Sequence, residues 1–139
     1  MSLVGLREQS GGTLQFFAPA SAEEIDAVVS RFADFKLSTY TQILAQSNGV
    51  GELFCEGERR FVHNMLLFSV GEALEWSANA YGDKFLVVGA PGVDGVHYGL
   101  KKDSEAVLAH MPYDDSYVVV AGSALDLLWR WHRNELGPL

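Results

Sequence analysis

The stretch from Phe85 to Leu100, FLVVGAPGVDGVHYGL, limits the possible fold more than any other part of the chain. A helix here would hold Pro91 and four glycines, Gly89, Gly92, Gly95 and Gly99, in its interior. That costs about 3 kcal/mol for the proline and about 1 kcal/mol for each glycine. Two strands avoid the cost. Phe85 to Val88 form a short apolar run, Gly89-Ala90-Pro91-Gly92 and Asp94-Gly95 give turn signals, and Val96, Tyr98 and Leu100 then alternate with His97, Gly99 and Lys101. This is the pattern of a buried strand, a glycine-rich turn and a second strand with one covered face.

A chain of 139 residues, 48% of them hydrophobic, is long enough for one domain with a real core. No apolar run approaches the roughly 20 residues needed to span a bilayer. The opening MSLVGLREQSGG has no basic segment followed by an apolar core, so no secretory signal is expected. The single cysteine, Cys55, excludes an internal disulfide and a cysteine-based zinc site, and is expected to be a half-buried strand residue. Together these features predict a cytoplasmic protein.

Charge narrows the partners. Eighteen acidic and ten basic residues give a formal charge of -8. Binding nucleic acid needs clustered Lys and Arg to displace counterions, and the closest approaches, Arg59-Arg60, Lys101-Lys102 and Arg130 with Arg133, never exceed a pair. An acidic surface instead attracts a basic partner and can raise its on-rate by ~10-fold or more. Solubility alone would use the same charge.

Taken in order, residues 1–17 read as an N-terminal arm or an edge strand through Thr13 to Phe16, and residues 18–136 as the domain proper. Ser21 and Glu24 have capping-box spacing, and Ile25, Val28, Val29 and Phe32 form one apolar helical stripe. A second helix starts near Ser38, with Tyr40, Ile43 and Leu44 on a face, and stops at Asn48-Gly49. These two helices are expected to pack as an antiparallel pair. Leu53 to Cys55 and Arg60 to Val62 read as strands around the turn Glu56-Gly57-Glu58, and Met65 to Val70 as another strand or the lead into a helix. Glu72 to Tyr81 is helical, with Leu74, Ala78 and Tyr81 on one side, Trp76 off that stripe, and Gly82-Asp83 closing it. After the hairpin come a strand from Ala106 to Met111, a turn at Pro112 to Asp115, and Tyr117 to Val120. In the final helix Ser123 and Asp126 have capping spacing, Leu125, Leu128, Trp129 and His132 form the stripe, and Gly137-Pro138 stop it. The prediction is an α+β single domain with a mostly antiparallel central sheet flanked by helices.

Reactive constellations are hard to find. The glycines of the hairpin match neither G-x-G-x-x-G nor G-x-x-x-x-G-K-[ST], and a strand follows them, so no phosphate loop is expected. His63, His97, His110 and His132 lack metal-ligand spacing, although His97 and His110 could approach across neighbouring strands. No G-x-S-x-G elbow surrounds a serine, and Cys55 has no nearby base. Trp129 and Trp131, two apart on a helix, must face differently, one towards the sheet and one nearer its border, and an exposed tryptophan would be an interface anchor. Phe54, Phe61 and Phe68 are expected in the core. No catalytic residue, metal or cofactor is assigned.

Taken together, Ala18-Pro19-Ala20-Ser21-Ala22-Glu23-Glu24-Ile25, the Tyr40, Leu44 and Asn48-Gly49 block, the Phe85 to Leu100 hairpin and the Val118-Val119-Val120-Ala121, Leu125 and Leu128 segment resemble the SUKH superfamily, in the branch named for the yeast cell-wall assembly regulator. The resemblance runs from about Ala18 to Trp129. It departs at Leu37-Ser38-Thr39, where similar sequences carry a proline, and at Ala90-Pro91, where they tend to be acidic or polar. It implies an α+β domain without catalytic residues. In bacteria this would be an immunity protein that neutralises a polymorphic toxin, often a nuclease, and in fungi a regulatory adaptor. A basic toxin domain is the expected partner, met by the turn or edge acids Glu52, Glu56, Glu58, Asp94, Asp114 and Asp115. The alternatives are an adaptor in an intracellular signalling complex, or a small-molecule binder using the strand histidines.

Overall fold

The computed structural model describes residues 1–136. Five helices and seven strands follow in the order α1 (Leu3–Gln9), β1 (Leu14–Phe16), α2 (Ala22–Arg31), α3 (Ser38–Leu44), β2 (Val50–Glu56), β3 (Arg59–Leu67), α4 (Val70–Tyr81), β4 (Leu86–Gly89), β5 (His97–Leu100), β6 (Val107–Met111), β7 (Ser116–Ala121) and α5 (Ala124–His132). The class is α+β, as the periodicities predict. The sheet is split in two, β1-β2-β3 and β4-β5-β6-β7, and every pairing is antiparallel. The halves abut at β3 and β4, where Phe68 N–H donates to the Val88 carbonyl at 2.7 Å and Ala90 N–H to the Met65 carbonyl at 3.1 Å.

The Phe85–Leu100 hairpin lies at this junction. Phe85, Leu86, Val87 and Val88 are all fully buried, because both faces of the sheet are covered here. Phe85 and Val87 pack with Phe68, Ala73 and Tyr81 under α4, whereas Leu86 and Val88 belong to the larger core with Leu127 and Leu128 of α5. A strand buried on both faces reads as a continuous apolar run rather than an alternating one. Two of its four glycines serve packing rather than turning. A Cβ on Gly89 would overlap the Leu66 carbonyl, and one on Gly99 would run into the Phe85 ring. Gly92 and Gly95, with φ of 89° and 77°, are the turn glycines.

The helices obey their caps. Ser21 and Glu24 form a complete capping box at α2, Ser69 Oγ accepts from Glu72 N–H at α4, and Ser123 Oγ accepts from Asp126 N–H at α5. Gly82, left-handed at φ 58°, closes α4. Several expectations are corrected. Residues 3–9 form a helix whose Leu3 and Leu6 are buried and whose Ser2 carbonyl accepts from Trp129 Nε1, while Leu14–Phe16 is the anticipated edge strand. The helices α2 and α3 do not pair; α2 packs on α4 and α3 on α5. Helix α3 ends at Leu44, before Asn48-Gly49, and Val29 is exposed rather than part of the buried stripe. Phe54 is 49% exposed and Cys55 is exposed, because the outer half of the β2–β3 hairpin extends beyond the helices, whereas Phe68 is in the core as expected. The stop at Gly137-Pro138 lies outside the described residues.

Candidate functional site

Register decides which polar groups meet. Residue His97 opens β5 directly across from His110 on β6. The last turn of α4 crosses above them and drops Tyr81 between the two rings. Its hydroxyl lies 2.8 Å from His97 Nδ1 and 3.0 Å from His110 Nδ1. On the far side His110 Nε2 lies 2.6 Å from Asp115 Oδ1. Aromatic rings enclose the group: Trp76 on His97 at 4.6 Å, Phe85 on Tyr81 at 5.0 Å and Tyr117 on His110 at 4.9 Å. Lys101 Nζ caps the Tyr117 ring at 3.5 Å.

The partners set the proton positions. A carboxylate only accepts, so His110 Nε2 carries its proton toward Asp115. With the ring neutral, His110 Nδ1 is then an acceptor and takes the Tyr81 hydroxyl proton. Tyr81 has no second proton, so His97 Nδ1–H donates to its oxygen, leaving His97 Nε2 with a free lone pair. The hydrogen-bond chain thus runs without a break from the His97 Nε2 lone pair to the Asp115 carboxylate. Burial, with His110 adding to it, holds His97 below the ordinary histidine range. Burial also pushes the Tyr81 hydroxyl up to about 12, with smaller contributions from Tyr117 and Asp115. Both ring Nδ1 atoms turn to one hydroxyl, so they do not converge on a shared metal position. Among the described residues no group of three His, Cys, Asp or Glu side chains does so.

The six acids read from the sequence fall into two sets. Glu56 and Glu58 flank the β2–β3 turn, Asp94 lies in the β4–β5 turn, and Asp114 and Asp115 form the β6–β7 turn; all five are exposed. Antiparallel pairing places these three turns at one end of the molecule. Asn64 on β3 donates to the Ala90 carbonyl beside the second turn, and the second turn reaches the third where Gly95 meets Pro112. Asp114 Oδ1 fixes the third turn by accepting from both the N–H and the hydroxyl of Ser116. Of the two cations beside the first turn, Arg59, opposite Glu56 in register, lies over the Phe61 ring at 5.8 Å, and Arg60 is directed to the Gly12 carbonyl on the β1 side. Glu52 stands apart. It is half-buried and accepts from Trp131 Nε1 at 2.7 Å and from Asn64 Nδ2 at 3.0 Å, tying β2 to α5 and β3.

Sequence reading missed Tyr81, whose role needs the α4–β5–β6 crossing, and Trp76. Of the tryptophans, Trp129 is buried and Trp131 half-buried, the difference in facing that their spacing requires, while Trp76 on α4 is 44% exposed. Its position off the apolar stripe was the signal. Among the described residues no helix is long and apolar enough to cross a membrane. The sequence matches no model of a known protein family and no curated protein.

Proposed function

We propose that this chain is a non-enzymatic protein-binding domain, an immunity protein that neutralises a basic toxin domain in the cytoplasm by covering it. The observation that carries the reading is the gathering of Glu56, Glu58, Asp94, Asp114 and Asp115 on three exposed turns at one end of a chain of charge -8. Rims of one sign steer an oppositely charged partner and raise its association rate more than its intrinsic affinity. Exposed apolar side chains lie among the same turns, Val93 at 52% and Tyr113 at 84%, and give such an interface something to desolvate. The SUKH-like motifs add support for this class of function.

The test is co-expression with the toxin encoded beside the gene. Growth should be rescued, and replacing the five turn acids by their amides should slow association and weaken rescue. Failure of rescue together with no binding in a pull-down would remove the proposal. A second reading follows from the Asp115–His110–Tyr81–His97 chain, which has the carboxylate and free lone pair that acid–base work on a small molecule would use. A saturable small-molecule ligand that shifts the His97 ring resonances would favour it over the first.

A further inference from the structure

We propose that the outward stripe of α4, centred on Trp76, is the surface that receives a lysine or arginine side chain of the partner protein; this rests on the reading that the partner is basic. Glu72, Glu75, Trp76 and Asn79 follow at i, i+3, i+4 and i+7, so they form one continuous row along the helix. They line a shallow groove of about 220 Å3 in which no Lys, Arg or His takes part. The outward face of a surface helix is ordinarily polar. Here its centre is a tryptophan, 44% exposed, with one side of the indole set against His97 at 4.6 Å.

That contact holds the indole at 47° to the imidazole, and the residue stays open enough to solvent for a partner side chain to reach it. An indole face is the best aromatic site for an ammonium or guanidinium group, and a ring already held in place loses little freedom on binding. Glu72 and Glu75 are exposed beside it, and neither enters an ion pair among the described residues. One oxygen of Glu72 accepts from the Ser69 hydroxyl, which sets the carboxylate at the start of the groove. The stripe also adjoins the acidic end of the sheets, because His97 under Trp76 follows directly on the Asp94-bearing turn. A second copy of this chain fits poorly, since it would bring another charge of -8 against two free carboxylates.

Titration of the 15N-labelled chain with a hexa-arginine peptide tests the surface. The Trp76 indole N–H resonance and the amides of 72–79 should shift saturably. Trp76→Ala should weaken binding by roughly 3- to 30-fold. Trp76→Phe should lie between that variant and the parent, and the double amide Glu72→Gln with Glu75→Gln should weaken binding without altering the fold. Shifts confined to the three turns, or Trp76→Ala affinity within two-fold of the parent, would overturn the proposal. The two readings fail separately. Toxin rescue undiminished in Trp76→Ala, with no shift at α4, removes this surface alone; absent rescue with peptide still bound at Trp76 removes the immunity function and keeps the surface.

Discussion

The two hairpins that meet at the middle of the fold obey the same pairing rules and have opposite surroundings. In β4–β5 the strand Phe85–Val88 has no exposure, with α4 on one face and α5 beyond the other. In β2–β3 the burial fades along the strand, from fully buried Val50 to Phe54, Cys55 and Glu56 in solvent. Cross-strand hydrogen bonds are therefore common to both, and what differs is the closeness of packing. In the inner hairpin an added Cβ meets backbone or a buried ring at two positions, whereas at Gly51 of the outer one it meets only the Val62 and Met65 side chains. The far end of that outer hairpin carries charge and exposed rings. Constraint lies in the buried strand of the inner hairpin, whereas the five turn acids lie on exposed turns of both sheets.

The largest effect should come from adding one methyl group to the inner hairpin. Gly89→Ala places its Cβ on the Leu66 carbonyl at the junction where the two sheets share backbone hydrogen bonds, so β3 and β4 must part. A loss of about 3 kcal/mol is expected in urea unfolding. Gly57→Ala in the outer turn meets nothing within 4 Å. It bears only the strain of its φ of 62°, about 1 kcal/mol. Equal costs at the two sites would show that backbone strain, not packing, distinguishes the hairpins.

Next is a single hydroxyl. Ser77 is fully buried on α4; its Oγ donates to the Ala73 carbonyl at 2.6 Å and accepts from Val87 N–H at 2.9 Å, so it satisfies a strand donor from a helix. Ser77→Ala should cost about 2 kcal/mol by stranding that N–H. Hydrogen exchange at the Val87 amide should accelerate with it. An unchanged Val87 amide would mean that the inner hairpin does not depend on α4.

The inner hairpin was legible in the sequence because proline and glycine leave few conformations open, and the capping serines Ser21 and Ser123 because a cap is a local interaction; Ser69, which caps α4, was not read from the sequence. What escaped was non-local. The glycines at 89 and 99 looked like turn residues, since nothing in a sequence shows which backbone will approach them. The outer phenylalanine at 54 looked like core because its hydrophobicity is visible and the reach of its hairpin past the helices is not. Of the candidate site, the approach of His97 to His110 was readable as a possibility from strand order. The intervening Tyr81 needed the crossing angle of α4, and the gathering of acids at one end needed the junction of the two sheets.

The inner hairpin also holds a group whose titration is linked to folding. His97 faces Tyr81 from α4 and His110 from β6, with Asp115 behind His110, and its pKa lies below the unfolded value near 6.5. The unfolded chain therefore takes up the proton first. The stabilisation is fully present above about pH 6.5 and is lost as pH falls from there through the folded-state value. Urea midpoints measured between pH 7.5 and 5 should fall less steeply in His97→Gln than in the parent. Parallel curves would show that the proton chain is not coupled to stability.

The smallest effect is expected at the far end of the outer hairpin. Phe54 lies opposite Phe61 in register, with ring centroids 5.4 Å apart, and is 49% exposed. Cross-strand aromatic pairs contribute about 0.2–1 kcal/mol, and no helix covers this one. Phe54→Ser should thus cost less than about 1 kcal/mol and leave the unfolding slope unchanged. Set beside Gly89→Ala, it measures how far the strength of the junction propagates along β3. A cost near that of Ser77→Ala would mean that the outer hairpin belongs to the same cooperative core, and its exposed rings would then have a structural rather than an interfacial reason to be there.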